Sequence, residues 1–165
     1  MRVVPSWLSE GQYGMERLVG EDKMVDINIK IQEILELFRQ QMPKTDPDIP
    51  FDVKRAVIYL NKSLYDESRG SVSRMKEKCN IQTNNFSTRF ACYMGMPPKR
   101  YITYHRMEAA KRLLSDQALK DIAISRIGFA IGYEKPSTFS TVFKKRVGIS
   151  PSDWRRNNLK NKRKN

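Results

Sequence analysis

The sequence predicts an all-α protein: two helix-turn-helix subdomains joined by a linking helix, with an additional N-terminal amphipathic helix ahead of them. Three observations carry this. Apolar residues recur at three- and four-residue steps between glycine and proline breakers along most of the chain. One stretch of about fifty residues matches the next. The positive charge is concentrated after residue 50.

Residues 1–23 hold three glycines and show no periodicity, so they are left unassigned and expected to be mobile. From Met24 the pattern changes. Met24, Ile27, Ile31, Ile34 and Phe38 step by three, four, three and four, which places them on one helical stripe. Pro43 ends that helix near Met42, and Pro47 and Pro50 continue a linker over 43–50. Residues 1–50 thus form an N-terminal segment. Its stripe has two readings: docking on the body of the same chain, or pairing with a second copy as a homodimer. It spans about two and a half heptads, fewer than the three or four that define a coiled coil.

Residues 51–159 read as helix throughout, in segments 51–65, 72–78, 83–94, 98–116, 122–131, 136–147 and 151–159. Gly70, Asn80, Gly95 with Pro97, Gly132 and Gly148 separate them. The last start is the clearest: Ser150 is the N-cap, Pro151 opens the first turn and Asp153 closes a capping box. The stretch from Asn157, all Asn, Lys and Arg apart from Leu159, is expected to be disordered, with 160–165 as a basic tail.

The self-match defines the architecture. Phe86-Ser87-Thr88-Arg89-Phe90 is echoed 53 residues later by Phe139-Ser140-Thr141-Val142-Phe143. The same offset pairs Gly95 with Gly148, Pro98 with Pro151 and Tyr101 with Trp154. Upstream an offset of 52 pairs Val72 with Ile124, Met75 with Ile127 and Cys79 with Ile131, so the copies differ by one residue in a turn. Each copy is a short helix, a tight turn and a second helix, with Asn80 and Gly132 at the corner. At about 100° per residue, Phe86 and Phe90 face inward on the first reading helix, while Asn84, Thr88 and Ala91 face outward with Ser87 on the flank. On the second, Phe139 and Phe143 face inward, while Ser137, Thr141 and Lys144 face outward with Ser140 on the flank. The expected core includes Phe86, Phe90, Leu113, Leu114, Ile127, Phe139, Phe143 and Trp154.

Charge points to the partner. The net charge of +13 comes from 31 basic and 18 acidic residues. Residues 1–50 carry six basic against nine acidic side chains; residues 51–165 carry 25 against nine, a net +16. A block so basic requires a polyanion, with nucleic acid ahead of an anionic membrane surface. Small polar side chains suit a helix deep in the major groove, because Asn, Ser and Thr meet base edges. Arg89, Lys144, Lys145 and Arg146 suit phosphates, which fix register. A non-specific binder is the main competitor, but the reading faces carry few aromatics for stacking single strands. Catalysis has little material. There is one histidine, and Cys79 and Cys92 lack metal-ligand spacing and read as small buried hydrophobes. No cofactor is expected. No apolar run is long enough for a membrane helix and no secretory signal opens the chain, which reads as soluble and cytoplasmic.

Three stretches are specific to one family. They are Arg106-Met107-Glu108-Ala109-Ala110-Lys111-Arg112-Leu113-Leu114, Ile124-Ser125-Arg126-Ile127-Gly128-Phe129-Ala130-Ile131-Gly132-Tyr133, and residues 139–151 from Phe139 through Lys144-Lys145-Arg146 to Ser150-Pro151. Together they resemble the AraC-type transcription regulator DNA-binding domain over about Val53 to Arg155. The resemblance implies a seven-helix domain whose two reading helices enter successive major-groove segments of double-stranded DNA. It places base-reading residues at Asn84, Ser87 and Thr88 and at Ser137 and Thr141, with RNA polymerase a further candidate partner. There are departures: Lys76 stands for a small alanine, Gly128 holds the matching place in the second unit, Gln82 and Glu134 replace serine caps, and Pro97 replaces a serine. Thr83 or Asn84 could take over the first cap. His105 stands where the family has an apolar residue and is expected to be partly buried packing. The chain lacks room for the family's effector-binding β-barrel, so it reads either as a short regulator or as one whose first 50 residues replace that sensor with a helix.

Overall fold

A computed structural model describes residues 16–161. Its helices are α1 (Glu16–Gln41), α2 (Phe51–Ser63), α3 (Val72–Lys78), α4 (Phe86–Met94), α5 (Pro98–Leu114), α6 (Ile124–Ala130), α7 (Pro136–Val147) and α8 (Pro151–Asn161), with a 3₁₀ turn at Gln117–Leu119. Among the described residues there is no strand. α3 and α4 pack on α2, and α4 also on α5; α6 and α7 pack on α5, and α7 also on α8, so α5 belongs to both units.

Both helix-turn-helix corners turn through positive φ. Asn80 has φ 49° and Gly132 has φ 90°, a region that costs most L-residues about 1–2 kcal/mol and that Asn and Gly enter most readily. The phenylalanines anchor each unit: Phe86, Phe90, Phe139 and Phe143 are all 0% exposed, as are Leu113, Leu114 and Ile127. Trp154 is the exception in the expected core, being only half-buried. Its indole Nε1 donates to the Lys111 carbonyl (3.2 Å) and to Ser115 Oγ (3.0 Å), which holds the ring at a rim instead of in the interior. Cys79 is buried but Cys92 is exposed, contrary to expectation. Six residues past Phe86, Cys92 falls on the outward side of α4.

Several boundaries move. Residues 16–23, left unassigned in sequence, are the first turns of α1. α4 begins at Phe86 and not at 83. α5 ends at Leu114 because Asp116 leaves the helix and accepts from the Ala118 backbone N–H (2.9 Å), capping the 3₁₀ turn. α8 runs to Asn161, so part of the expected disordered tail is helical. Arg155 donates to the Ile122 carbonyl (2.6 Å) and Asn158 to the Trp154 carbonyl (2.8 Å), which tie down its middle turns. Residues 1–15 and 162–165, with the remaining claims of N-terminal mobility and tail disorder, lie outside the described residues.

The cap of α8 forms as expected, with one variation. Ser150 Oγ accepts from the Asp153 N–H (3.1 Å), and its own hydroxyl donates to Asp153 Oδ2 (2.6 Å). Ser150→Ala should lower stability by about 1 kcal/mol in urea unfolding. An unchanged midpoint would remove the cap from the account.

The α1 stripe docks. Ile31, Ile34 and Leu35 are at most 3% exposed, Ile27 and Phe38 are partly buried against the core, and only Met24, 41% exposed, stands clear. α1 lies along α5 and reaches both units. The Arg39 guanidinium sits over the Tyr65 ring at 5.2 Å, and Arg126 Nη2 on α6 donates to Asn28 Oδ1 at 2.6 Å. The surface left on the far side of α1 carries Val25, Ile29 and Leu37.

Candidate nucleic-acid interface

Packing sets the orientation of the reading helices. The Phe86 and Phe90 rings lie 5.8 Å apart, and Phe90 meets Tyr101 edge-on at 5.7 Å. Phe139 and Phe143 are 5.7 Å apart, with Trp154 6.2 Å beyond. Gly128 lets α6 approach α7 closely, since a Cβ there would lie 3.0 Å from Phe139 Cδ1. Its counterpart Lys76 is half-buried, and its alkyl stem can cover apolar surface while the ammonium reaches water.

With those rings inward, Ser87 and Thr88 on α4 and Ser137 and Thr141 on α7 are exposed, while Ser140 is half-buried. Asn84 is exposed too, but it lies in the turn before α4 and not on the helix itself. The helix starts also differ from expectation. Asn85 and Lys135 are the N-cap residues of α4 and α7, and neither makes a side-chain cap; Gln82, Thr83, Asn84 and Glu134 do not serve.

The four proposed phosphate cations separate. Lys144 and Lys145 are exposed in the last turn of α7. Arg89 pairs with the Asp52 carboxylate of α2. Arg146 turns toward α5 and α8, where it lines a crevice with Arg100 and Trp154. Helical geometry could have signalled both directions: Arg146 lies about 20° from Phe139 around the α7 axis, and Arg89 about 60° from Phe86, although Arg146, in the last turn, is as exposed as Lys144 and Lys145.

Residue-type reasoning missed Arg106. It is 8% exposed, inside the α5 core stripe with Ile102, Ala109, Ala110 and Leu113. Its Nε donates to the Leu64 carbonyl (2.9 Å) and its Nη2 to the Gly70 carbonyl (3.1 Å), both in the first unit. On the other side its guanidinium lies 5.3 Å from the Tyr133 ring centroid, and a Cβ on Gly132 would come within 2.6 Å of Nη2. One planar cation therefore bridges the α2–α3 loop and the second helix-turn-helix corner. Burial pulls its pKa below the ordinary arginine range, while Tyr133, Glu67 and Asp66 oppose that shift. The signal was a lone charge at a core position of an apolar stripe.

His105 is half-buried, with its ring 4.3 Å from Tyr101 and 5.2 Å from Tyr104. Burial lowers its pKa against the pull of Glu108, so the neutral, packed form is favoured. Among the described residues no group of His, Cys, Asp or Glu could hold a metal ion, and no helix is long and apolar enough to cross a membrane.

Comparison with known proteins agrees with this geometry. Residues 76–157 match the helix-turn-helix domain family. The chain is 30% identical over 97 residues to the MmsAB operon regulatory protein of Pseudomonas aeruginosa, covering 59% of this chain and 30% of that protein. It is 32% identical over 104 residues to the lactose operon transcription activator of Staphylococcus xylosus, covering 63% and 36%. It also superposes on the C-terminal domain of AraT, a response regulator from Geobacillus stearothermophilus, with TM-score 0.58 and 29% identity over 67% of this chain and 88% of that one. The chain spans about a third of the length of the curated relatives it matches. Over residues 76–157, within a fold of two helix-turn-helix units, this chain carries a DNA-binding domain of the AraC type.

Proposed function

We propose that the protein is a transcription regulator that binds double-stranded DNA sequence-specifically, laying α4 and α7 in successive major-groove segments. The observation that carries this reading is the matched pair of polar faces. Thr88 and Thr141 occupy the same position in two copies, each exposed beside two phenylalanines that are 0% exposed. Ser87 and Ser137 flank them, and Asn84 approaches the groove from its turn. Lys144 and Lys145 supply phosphate contacts. Arg89 is held by Asp52, whereas Arg146 is exposed and lines a crevice toward α5 and α8.

Residues 51–159 act as the DNA-binding domain and residues 1–50 as an N-terminal segment whose helix α1 docks on it. A homodimer through Met24, Ile27, Ile31, Ile34 and Phe38 would require α1 to leave α5, because Ile31 and Ile34 are core residues of the same chain. RNA polymerase contact remains a proposal of family resemblance, as does a cytoplasmic location.

The test is competition against random duplex. Binding to the preferred site should exceed random binding by a factor of about 10³ or more at physiological salt. Affinity should fall with log salt at a slope near −0.9 per phosphate contacted. Lys144→Ala should weaken both duplexes together and flatten the slope by about one. A complex indifferent to sequence would leave a charge binder, and one indifferent to salt would leave the basic block without this role.

A further inference from the structure

A crevice of about 420 Å³ opens between α5, the end of α7 and α8. Its α5 wall is a single helical stripe of Arg100, Tyr104, Met107, Glu108 and Lys111, facing Arg146 and Trp154. Met107 is buried, and Val147 beside it is half-buried, so the floor is apolar. Trp154 is a fixed wall, with Nε1 bound to the Lys111 carbonyl and Ser115 Oγ and its ring set against Phe143. Tyr104, 49% exposed, is the open wall.

The charges in this crevice do not cancel. Lys111 Nζ takes the Glu108 carboxylate at 2.6 Å. Among the described residues neither Arg100 nor Arg146 enters an ion pair. Two guanidinium groups therefore remain at the rim of an aromatic and apolar floor. The first unit provides an internal comparison. Fifty-three residues earlier, Arg146 is matched by Tyr93, and Trp154 by Tyr101, which is 1% exposed with its hydroxyl on Asn61. The spare cation and the open ring belong to the second unit alone. Nor does the crevice lie on the reading face: around the α7 axis the exposed Arg146 falls roughly opposite Ser137 and Thr141.

We propose that this crevice binds a small aromatic carboxylic acid, with its carboxylate on Arg100 and Arg146 and its ring against Trp154 and Tyr104. Guanidinium groups offer paired N–H donors that match a carboxylate. The volume falls in the range of small-molecule pockets, about 300–1,000 Å³. A bare inorganic anion would satisfy the cations but make no use of the apolar floor or of the Trp154 ring, over which Lys111 Nζ lies at 5.8 Å. A neutral arene would fill the floor but leave the cations unused. The carboxylate and the ring together use the whole crevice.

The experiment uses the full chain with 1-naphthoate as probe, followed by calorimetry and by the indole N–H resonance of Trp154, with Trp7→Phe making that assignment unique. Saturable binding with Kd below about 1 mM is expected, with a shift of the Trp154 signal. Neutral 1-naphthamide should bind at least about tenfold more weakly. Both arginines are surface residues, so Arg100→Gln with Arg146→Gln should keep the helical circular dichroism and weaken naphthoate by about tenfold or more. Arg112→Gln, outside the crevice, should not weaken it. Four results would overturn the proposal: no saturable binding, equal affinity for the amide, displacement by equimolar sulfate, or displacement by random duplex. The last would make the crevice part of the DNA contact. None depends on whether α4 and α7 read sequence.

Discussion

Arg106→Met should lower stability by about 3 kcal/mol, measured as a shifted urea midpoint with an unchanged slope. Methionine keeps much of the stem volume but removes the donors to Leu64 O and Gly70 O. A hydrogen bond to a charged group contributes about 1.5–3 kcal/mol, and each carbonyl left unpaired in the interior costs a further fraction. Relief from burying an unpaired cation offsets part of this, which is why the estimate stays below the sum of two such bonds. Arg106→Lys should recover less than half of the loss, because an ammonium cannot reach two carbonyls and also lie flat over Tyr133. A loss under about 1 kcal/mol for Arg106→Met, or full recovery by lysine, would show that the bridge between the units lies elsewhere.

Arg106 also marks where sequence reasoning stops. Its partners are backbone carbonyls 42 and 36 residues away, and a carbonyl has no residue-type signature. Its core position was visible in the α5 stripe; what satisfied it was not. The elements most legible in sequence were those with a local cause. The α1 stripe, the phenylalanine pairs, the Asn80 and Gly132 corners and the Ser150 cap each follow from period, φ or a hydroxyl at the right place. The first turns of α1 were not legible because residues 16–23 carry no apolar period; they continue a helix whose docking is decided further along, at Ile31 and Ile34. Trp154 was expected in the core but sits at a rim, whereas Tyr101, its counterpart in the first copy, is buried, because the two copies differ in what their aromatic meets. In the candidate interface the outward hydroxyls were read correctly from the 3.6-residue period. The arginines were read from charge alone, although the same period puts Arg89 and Arg146 on the packed side.

Thr141→Ala should cost about 1–3 kcal/mol at the preferred site while leaving binding to random duplex almost unchanged. The substitution is benign for the fold, since Thr141 is exposed on α7 and alanine favours helix. It removes a hydroxyl but no charge, so the phosphate-driven part of the affinity and its salt slope should persist. Thr88→Ala is the internal control, since Thr88 holds the same place 53 residues earlier on a helix packed by an equivalent pair of rings. If both units read sequence, each single change should lower specific affinity, and the double variant should show nearly the sum, because the two sites lie on separate helices anchored by separate phenylalanine pairs. A loss for Thr141→Ala alone would make α7 the sequence reader and α4 a clamp on the backbone. Silence of both on every duplex, with Lys144→Ala still weakening them all, would show that the basic face binds charge without reading bases.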